Sequence, residues 1–276
     1  MILDTIAQST RKRVEAAKRE LSPEQCRRAA LGMERNTGFP FEAALARPGI
    51  HFICEVKKAS PSKGLIAPDF PYLDIAREYE AAGAAAISVL TEPEFFLGES
   101  RYLGEIAAQV SVPVLRKDFI LDEYQIYEAK LLGASAVLLI CALLGGDTVR
   151  EYLGLCNRLG LSALVEAHDE SEMKAAVSAG ARVIGVNNRN LKDFTVDLSN
   201  SARLRALAPP EVLFVAESGI RTASDVAALR ARGVNAVLIG ETLMKAPDKK
   251  KMLRELRGES ENESDINEKG AGKSHG

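Results

Sequence analysis

The stretch HFICEVKKASPSKGLIAPDFPYLDIAREYEAAGAAAISVL, residues 51–90, holds one complete repeat of the pattern that organises this chain. An apolar run, HFICEV (51–56), breaks off in charges and a Ser/Pro/Gly loop. A helical pattern, YLDIAREYEAAG (72–83), closes on glycine, and a second apolar run, AAISVL (85–90), begins at once. Glu55 and Lys57 stand two apart, so on a strand both point to the same face. Burying ions is costly unless they are paired or still wet. The charges therefore mark either an edge strand that surfaces or the mouth of a site.

Outward from this unit the alternation continues. Apolar runs recur at VPVL (112–115), AVLLI (136–140), LSALVE (161–166), RVIGV (182–186), VLFVA (212–216) and AVLIG (236–240). Helical patterns such as EYQIYEAKLLG, ESEMKAAVSAG and TASDVAALRARG lie between them. Gly83, Gly133, Gly180 and Gly233 stand where a helix is stopped by a left-handed residue. Runs that are apolar on both faces suit a parallel sheet covered by helices. Eight strand–helix units within residues 49–256 predict a single closed eight-stranded parallel βα barrel of the α/β class. An open doubly wound sheet that bound a dinucleotide would carry a glycine-rich turn after its first strand, and KKASPSKG matches neither GxGxxG nor a Walker loop.

The ends read differently. MILDTIAQSTRKRVEAAKREL predicts an amphipathic helix with Ile2, Leu3, Ile6, Val14 and Leu21 as contacts and its RKR triplet on a solvated face. Ser22-Pro23 predicts the start of a second short helix, with serine as cap and proline in the first turn. Residues 1–48 are thus expected to form a helical extension. RGESENESDINEKGAGKSHG (257–276) has one strongly apolar residue, Ile266, and is expected to be a disordered tail.

A formal net charge of -2 gives no basic excess for nucleic acid or an anionic membrane. No apolar stretch reaches the length of a membrane span, and the N-terminus lacks a signal peptide's apolar core, so a cytoplasmic location is expected. Cys26, Cys54, Cys141 and Cys156 are scattered without CxxC spacing and read as buried thiols. His51, His168 and His275 have no ligand-like spacing, so no metal is expected.

In a βα barrel, chemistry sits where strands give way to the loops that follow them. Here the strand ends carry Glu55 and Lys57, Lys117, Glu166, Asn187 with Arg189, and Glu217 with Ser218. Any one of these is more often a loop charge or a structural ion pair than a catalyst. Their concentration on one rim favours a site. AESGI and LIGETLM place Gly219 and Gly240 at the last two strand ends, where backbone N–H groups and a following helix can hold phosphate. Ordinary tight turns are the plain alternative. Glu241 would repel phosphate, so its side chain is expected to turn outward while its N–H faces the site.

Six segments in order then resemble one family: E-x-K with SPSKG (55–64), SVLTEPEFFLG (88–98), LRKDFI (115–120), ALVEAHDE (163–170), VNNRNL (186–191) and VAESGI (215–220). The resemblance is to indole-3-glycerol phosphate synthase of tryptophan biosynthesis, a carboxy-lyase built as a TIM barrel. It implies ring closure, decarboxylation and dehydration of 1-(2-carboxyphenylamino)-1-deoxyribulose 5-phosphate, with no cofactor. It implies Lys117 as acid, with a pKa lowered by nearby cations, Glu166 as base, and Lys57 as a second acid. Glu55, Glu217 and Asn187 are the other catalytic candidates, and Arg189 is expected to position the intermediate. Phe96 and Phe119 are expected to sandwich the aromatic ring, and Ser60, Ser218, Gly219, Gly240 and Glu241 to hold phosphate. The SPSKG loop is expected to act as a lid, and the N-terminal extension to fold over the barrel mouth. The expected partner is a phosphorylated small molecule, with the protein a monomer or weak homodimer. The rival readings are another phosphate-binding barrel enzyme, such as phosphoribosylanthranilate isomerase, and a non-catalytic sugar-phosphate binder.

Overall fold

The computed structural model describes residues 2–190 and 194–259. Three helices come first: α1 (Ile2–Glu20), α2 (Pro23–Leu31) and α3 (Pro40–Leu45). Ser22 caps α2 as its sequence predicts, exchanging hydrogen bonds with Gln25 in a capping box. β1 (His51–Val56) leads into a small antiparallel hairpin, β2 (Ala59–Ser60) and β3 (Gly64–Leu65), which frames the SPSKG loop. Then the alternation sets in: α4 (Tyr72–Ala81), β4 (Ala86–Leu90), α5 (Ser100–Ala107), β5 (Val114–Lys117), α6 (Glu123–Leu131), β6 (Ala136–Ile140) and α7 (Cys141–Leu159). It continues through β7 (Ser162–Ala167), α8 (Glu170–Ala179), β8 (Val183–Asn187), α9 (Ser199–Arg205), β9 (Leu213–Glu217), α10 (Ala223–Arg230) and β10 (Ala236–Ile239). Two helices, α11 (Glu241–Lys245) and α12 (Lys249–Arg257), end the described chain.

β1 and β4 to β10 pair in parallel and close into an eight-stranded barrel in chain order. All four glycines expected to stop helices hold positive φ, between 76° at Gly233 and 88° at Gly180. β5 starts two residues later than its apolar run suggests, because Pro113 has no N–H to give a ladder. Arg257 closes α12, with Gly258 beyond it in the left-handed conformation, so the expected tail begins inside a helix. Its remainder, from residue 260, lies outside the described residues.

Strand side chains alternate between two cores. One face packs on the helices around the barrel. The other fills the interior with Ile53, Leu115, Leu164, Val215 and Leu238. Phe41 and Leu45 of α3 join that interior cluster from the end where the strands begin. The N-terminal segment thus divides its work: α3 closes the floor, and the start of α1 lines the mouth.

Arg13, expected on a solvated face, instead reaches the barrel. Its guanidinium donates to both oxygens of Asp118, at 2.6 and 2.9 Å. Asp118 also accepts from Thr91 Oγ1 (2.6 Å) and pairs with Arg116 (3.2 Å), and both Arg116 and Asp118 are fully buried. Burial disfavours the Asp118 anion, but Arg116 and Arg13 outweigh it and hold its pKa down to about 2. The four cysteines are buried free thiols, as expected. Among the described residues no helix is long and apolar enough to cross a membrane.

The Asp118 cluster yields a stability test. Asp118→Ala leaves the Arg116 guanidinium in the interior with fewer anionic partners. The expected loss is roughly 3–5 kcal/mol by urea denaturation, the usual cost of breaking a buried pair. A loss under about 1 kcal/mol, the worth of a surface pair, would mean that the cluster is not desolvated.

Candidate active site

The two-residue period of the interior faces decides what reaches the mouth. One step above Ile53, Leu115, Leu164 and Val215 come Glu55, Lys117, Glu166 and Glu217. Above Leu238 and Val183 come Gly240 and Gly185, and one further step on β8 brings Asn187. The strands thus change from apolar to ionisable within a single pleat.

Glu55, Lys117, Glu166, Asn187, Glu217 and Gly240 line one cavity of about 1250 Å³, including the solvent at its mouth. It brings together every residue that the sequence singled out: Glu55, Lys57, Ser60, Phe96, Lys117, Phe119, Glu166, Asn187, Arg189, Glu217, Ser218, Gly219, Gly240 and Glu241. Ile2, Leu3 and Ile6 of α1 complete the wall.

Two charge clusters face each other inside. Lys57 Nζ donates to Glu55 Oε1 at 2.5 Å. Lys117 Nζ lies 3.5 Å from Glu166 Oε2 and 3.4 Å from Glu217 Oε2. The expected lowering of Lys117 is not found. Burial does press its pKa down, but Glu217, Glu166 and Glu55 outweigh burial and raise it above the ordinary lysine value. The cations thought to surround it are outnumbered by carboxylates.

The carboxylates divide between two states. Burial opposes the Glu166 anion, but Lys117, His168 and Asn187 bring its pKa down to about 2. Burial pushes Glu217 up to about 7; Lys117 pulls the other way, but Glu166 and Glu55 add to the rise. Glu166 is therefore held as the anion while Glu217 is driven toward the neutral acid, the kind of split that separates a base from a proton donor.

Two glycines make room for these groups. A Cβ on Gly185 would collide with Glu217 Oε1, and one on Gly240 would collide with Glu55 Oε1 and come within 2.9 Å of Lys57 Nζ. Just past the end of β9, Ser218 and Gly219 have consecutive positive φ of 67° and 82°. A serine held so is strained, and Asn188 helps hold it by donating to the Ser218 carbonyl at 3.2 Å. Glu241 pairs with Lys245 at 2.8 Å and with Lys63 of the SPSKG loop at 3.5 Å. Phe96 and Phe119 do not form a sandwich. Their centroids are 5.9 Å apart at 40°, already in contact, so no ring fits between them and they form one apolar wall.

Sequence reasoning missed His168, Asn188 and Asp118. Asn188 and Asp118 point outward, away from the face that the alternation marked, and His168 was weighed only as a metal ligand. A signal was present in ALVEAHDE, where His168 stands in register with Glu166.

Gly240→Ala provides a steric test, because Gly240 has an ordinary negative φ of -114° and the new methyl meets only side-chain ends. The expected outcome is an unchanged melting temperature with turnover lowered about 10²-fold, the usual effect of a 1 Å misplacement. Unchanged turnover would show that the Glu55–Lys57 pair has no need of its present position.

Comparison with known proteins agrees with this geometry. The family model described as Indole-3-glycerol phosphate synthase matches residues 3–256. A protein of that name from Ruminiclostridium cellulolyticum is 60% identical over 258 residues, covering 94% of this chain and 99% of its own. Another, from Endomicrobium trichonymphae, is 57% identical over 93% of this chain and 100% of its own. Among solved structures, a 3-hexulose-6-phosphate synthase matches with a TM-score of 0.61 at 14% identity, covering 76% of this chain and 99% of that one; this is a likeness of fold alone. The barrel, the rim of alternating charges and these full-length matches lead to one conclusion: the chain belongs to the indole-3-glycerol phosphate synthase family.

Proposed function

We propose that this chain converts 1-(2-carboxyphenylamino)-1-deoxyribulose 5-phosphate to indole-3-glycerol phosphate, CO2 and water. The observation that carries the assignment of roles is Lys117, an ammonium held between Glu166 and Glu217 in a cavity shared with the Glu55–Lys57 pair. The aromatic carbon that bears the carboxylate attacks the ketone, and Lys117 protonates the ketone oxygen as the carbon–carbon bond forms. The carboxylates around it keep the ammonium fully charged, so the proton and the positive charge are in place when negative charge develops on the ketone oxygen.

Loss of CO2 returns the bonding electrons to the ring and restores aromaticity. Dehydration then needs a base and an acid. Glu166, the firm anion, removes the proton, and Lys57 protonates the departing hydroxyl. Glu217 orients Lys117, and its titration near neutrality lets it accept or release a proton between steps. Asn187 lies beside Glu166 and favours its anion, and its Oδ1 accepts from the Arg189 N–H at 3.0 Å, so β8 and its loop align the base with the intermediate. The ring lies against the wall made by Phe96 and Phe119. Ser60 and the backbone of Ser218, Gly219, Gly240 and Glu241 take the phosphate, with residues 1–48 as an extension that contributes Ile2, Leu3 and Ile6 to the mouth.

An isomerase of the same architecture needs one acid and one base; two lysines among three glutamates exceed that need. The assay is incubation with the substrate while indole fluorescence is followed. Absence of product from folded protein would end this reading. Lys117→Ala is expected to lower turnover roughly 10² to 10⁴-fold, the usual worth of general acid catalysis. Near-normal turnover in that variant would place the acid elsewhere. A product analogue is expected to slow amide exchange in residues 60–64, and unchanged exchange would reject the lid.

A further inference from the structure

The Glu166 carboxylate has two oxygens with different surroundings. Oε2 faces Lys117 at 3.5 Å. Oε1 lies 3.1 Å from Nε2 of His168, whose Nδ1 lies 3.0 Å from Oε2 of Glu172. The imidazole is thus strung between two carboxylates, one lining the cavity and nearly buried, the other partly exposed on α8.

Glu172 is itself fixed. Its backbone N–H donates to the α8 cap Asp169 at 2.9 Å, and its side chain accepts from the His168 N–H at 2.9 Å. Asn200 donates to the His168 carbonyl at 3.2 Å. Backbone, helix cap and ring are therefore locked together two residues after Glu166. A histidine that served the helix cap alone would have no need to aim its other nitrogen at the cavity.

We propose that His168, anchored by Glu172, is a positioning residue for Glu166: it pins Oε1 so that Oε2 alone faces Lys117 and the substrate. The inference rests on Glu166 as the base. Nδ1 hydrogen-bonds Glu172 and Nε2 lies 3.1 Å from Glu166 Oε1 at ion-pair distance, so carboxylates beside both ring nitrogens favour the imidazolium. Burial lowers its pKa, but Glu166 and Glu172 raise it to about 10. That cation is one of the groups that keep Glu166 ionised, after Lys117. The other titratable groups near the pair are Glu217, facing Glu166 across Lys117, and Asp169 and Cys141 at the starts of α8 and α7, where Glu172, Glu166 and Asp169 act on the Cys141 thiol. The Cys141 thiol is neutral, raised by burial to about 12.

The sign of the effect follows. Removing the cation raises the Glu166 pKa, so activity is lost at a higher pH on the acid side. His168→Ala is expected to lower kcat about 10-fold or more through the freed carboxylate, with KM within about 2-fold. Its acid limb of kcat against pH should move up by about one unit, the lower end of the effect of a nearby opposite charge. His168→Gln keeps a donor near Oε1 without the charge; it should recover most of kcat and keep the displaced limb. If the alanine variant fails to fold, the glutamine variant carries the test. Loss of activity with an unmoved limb and no recovery by glutamine would mean a merely structural histidine and would overturn the proposal; so would unchanged kcat and limb. Glu166→Gln is measured alongside. Wild-type turnover in that variant would overturn the reading of Glu166 as base, whereas an inactive Glu166→Gln with indifferent His168 variants would overturn the positioning role alone.

Discussion

Desolvated charge is the constraint on which this molecule turns. Lys57 and Lys117 and the carboxylates Glu55, Glu166 and Glu217 are withdrawn from water at the top of the barrel. Each would be unaffordable alone, because an unpaired ion in the interior costs several kcal/mol. Together they compensate one another, and the negative excess falls on Glu217, the group that burial and its fellow glutamates drive toward neutrality. The barrel supplies what such a cluster requires: strands held in register around a closed barrel, and an apolar floor beneath them.

The N-terminal segment holds that arrangement from both ends. Phe41 and Leu45 complete the interior packing at the floor, while Arg13 binds the aspartate that adjoins Lys117 in sequence. Asp118 accepts from the Phe119 N–H at 2.8 Å as well, so the same carboxylate that receives α1 also shapes the turn carrying the apolar wall. Packing of the extension and placement of a reacting group are thereby joined through one buried anion.

Much of this could be read from the chain. The period of strand and helix, the glycine stops and the one-sided gathering of Glu55, Lys57, Lys117, Glu166, Asn187 and Glu217 all follow from local pattern and pleat. What escaped depends on distance across the fold. Arg13 looked like solvent-facing charge because its partner lies 105 residues away. The Lys117 shift was expected downward because other cations were placed near it, whereas the fold gathers Glu217, Glu166 and Glu55 around its ammonium. Phe96 and Phe119 were correctly brought to one cavity, yet the gap between two rings is a matter of ångströms that no spacing encodes. His168 stood beside Glu166 in plain view and was weighed for the wrong chemistry.

The places without side chains are as consequential as those with them. Gly185 and Gly240 leave two notches in the upper layer of the barrel, and the carboxylates of Glu217 and Glu55 occupy them. Each notch ties two adjacent strands into a single hereditary unit, since a methyl on one strand evicts an anion from the next. A lineage that lost either carboxylate could fill the vacancy freely. One that kept both has no neutral path through alanine, so these glycines should drift only after the chemistry they shelter has already been abandoned.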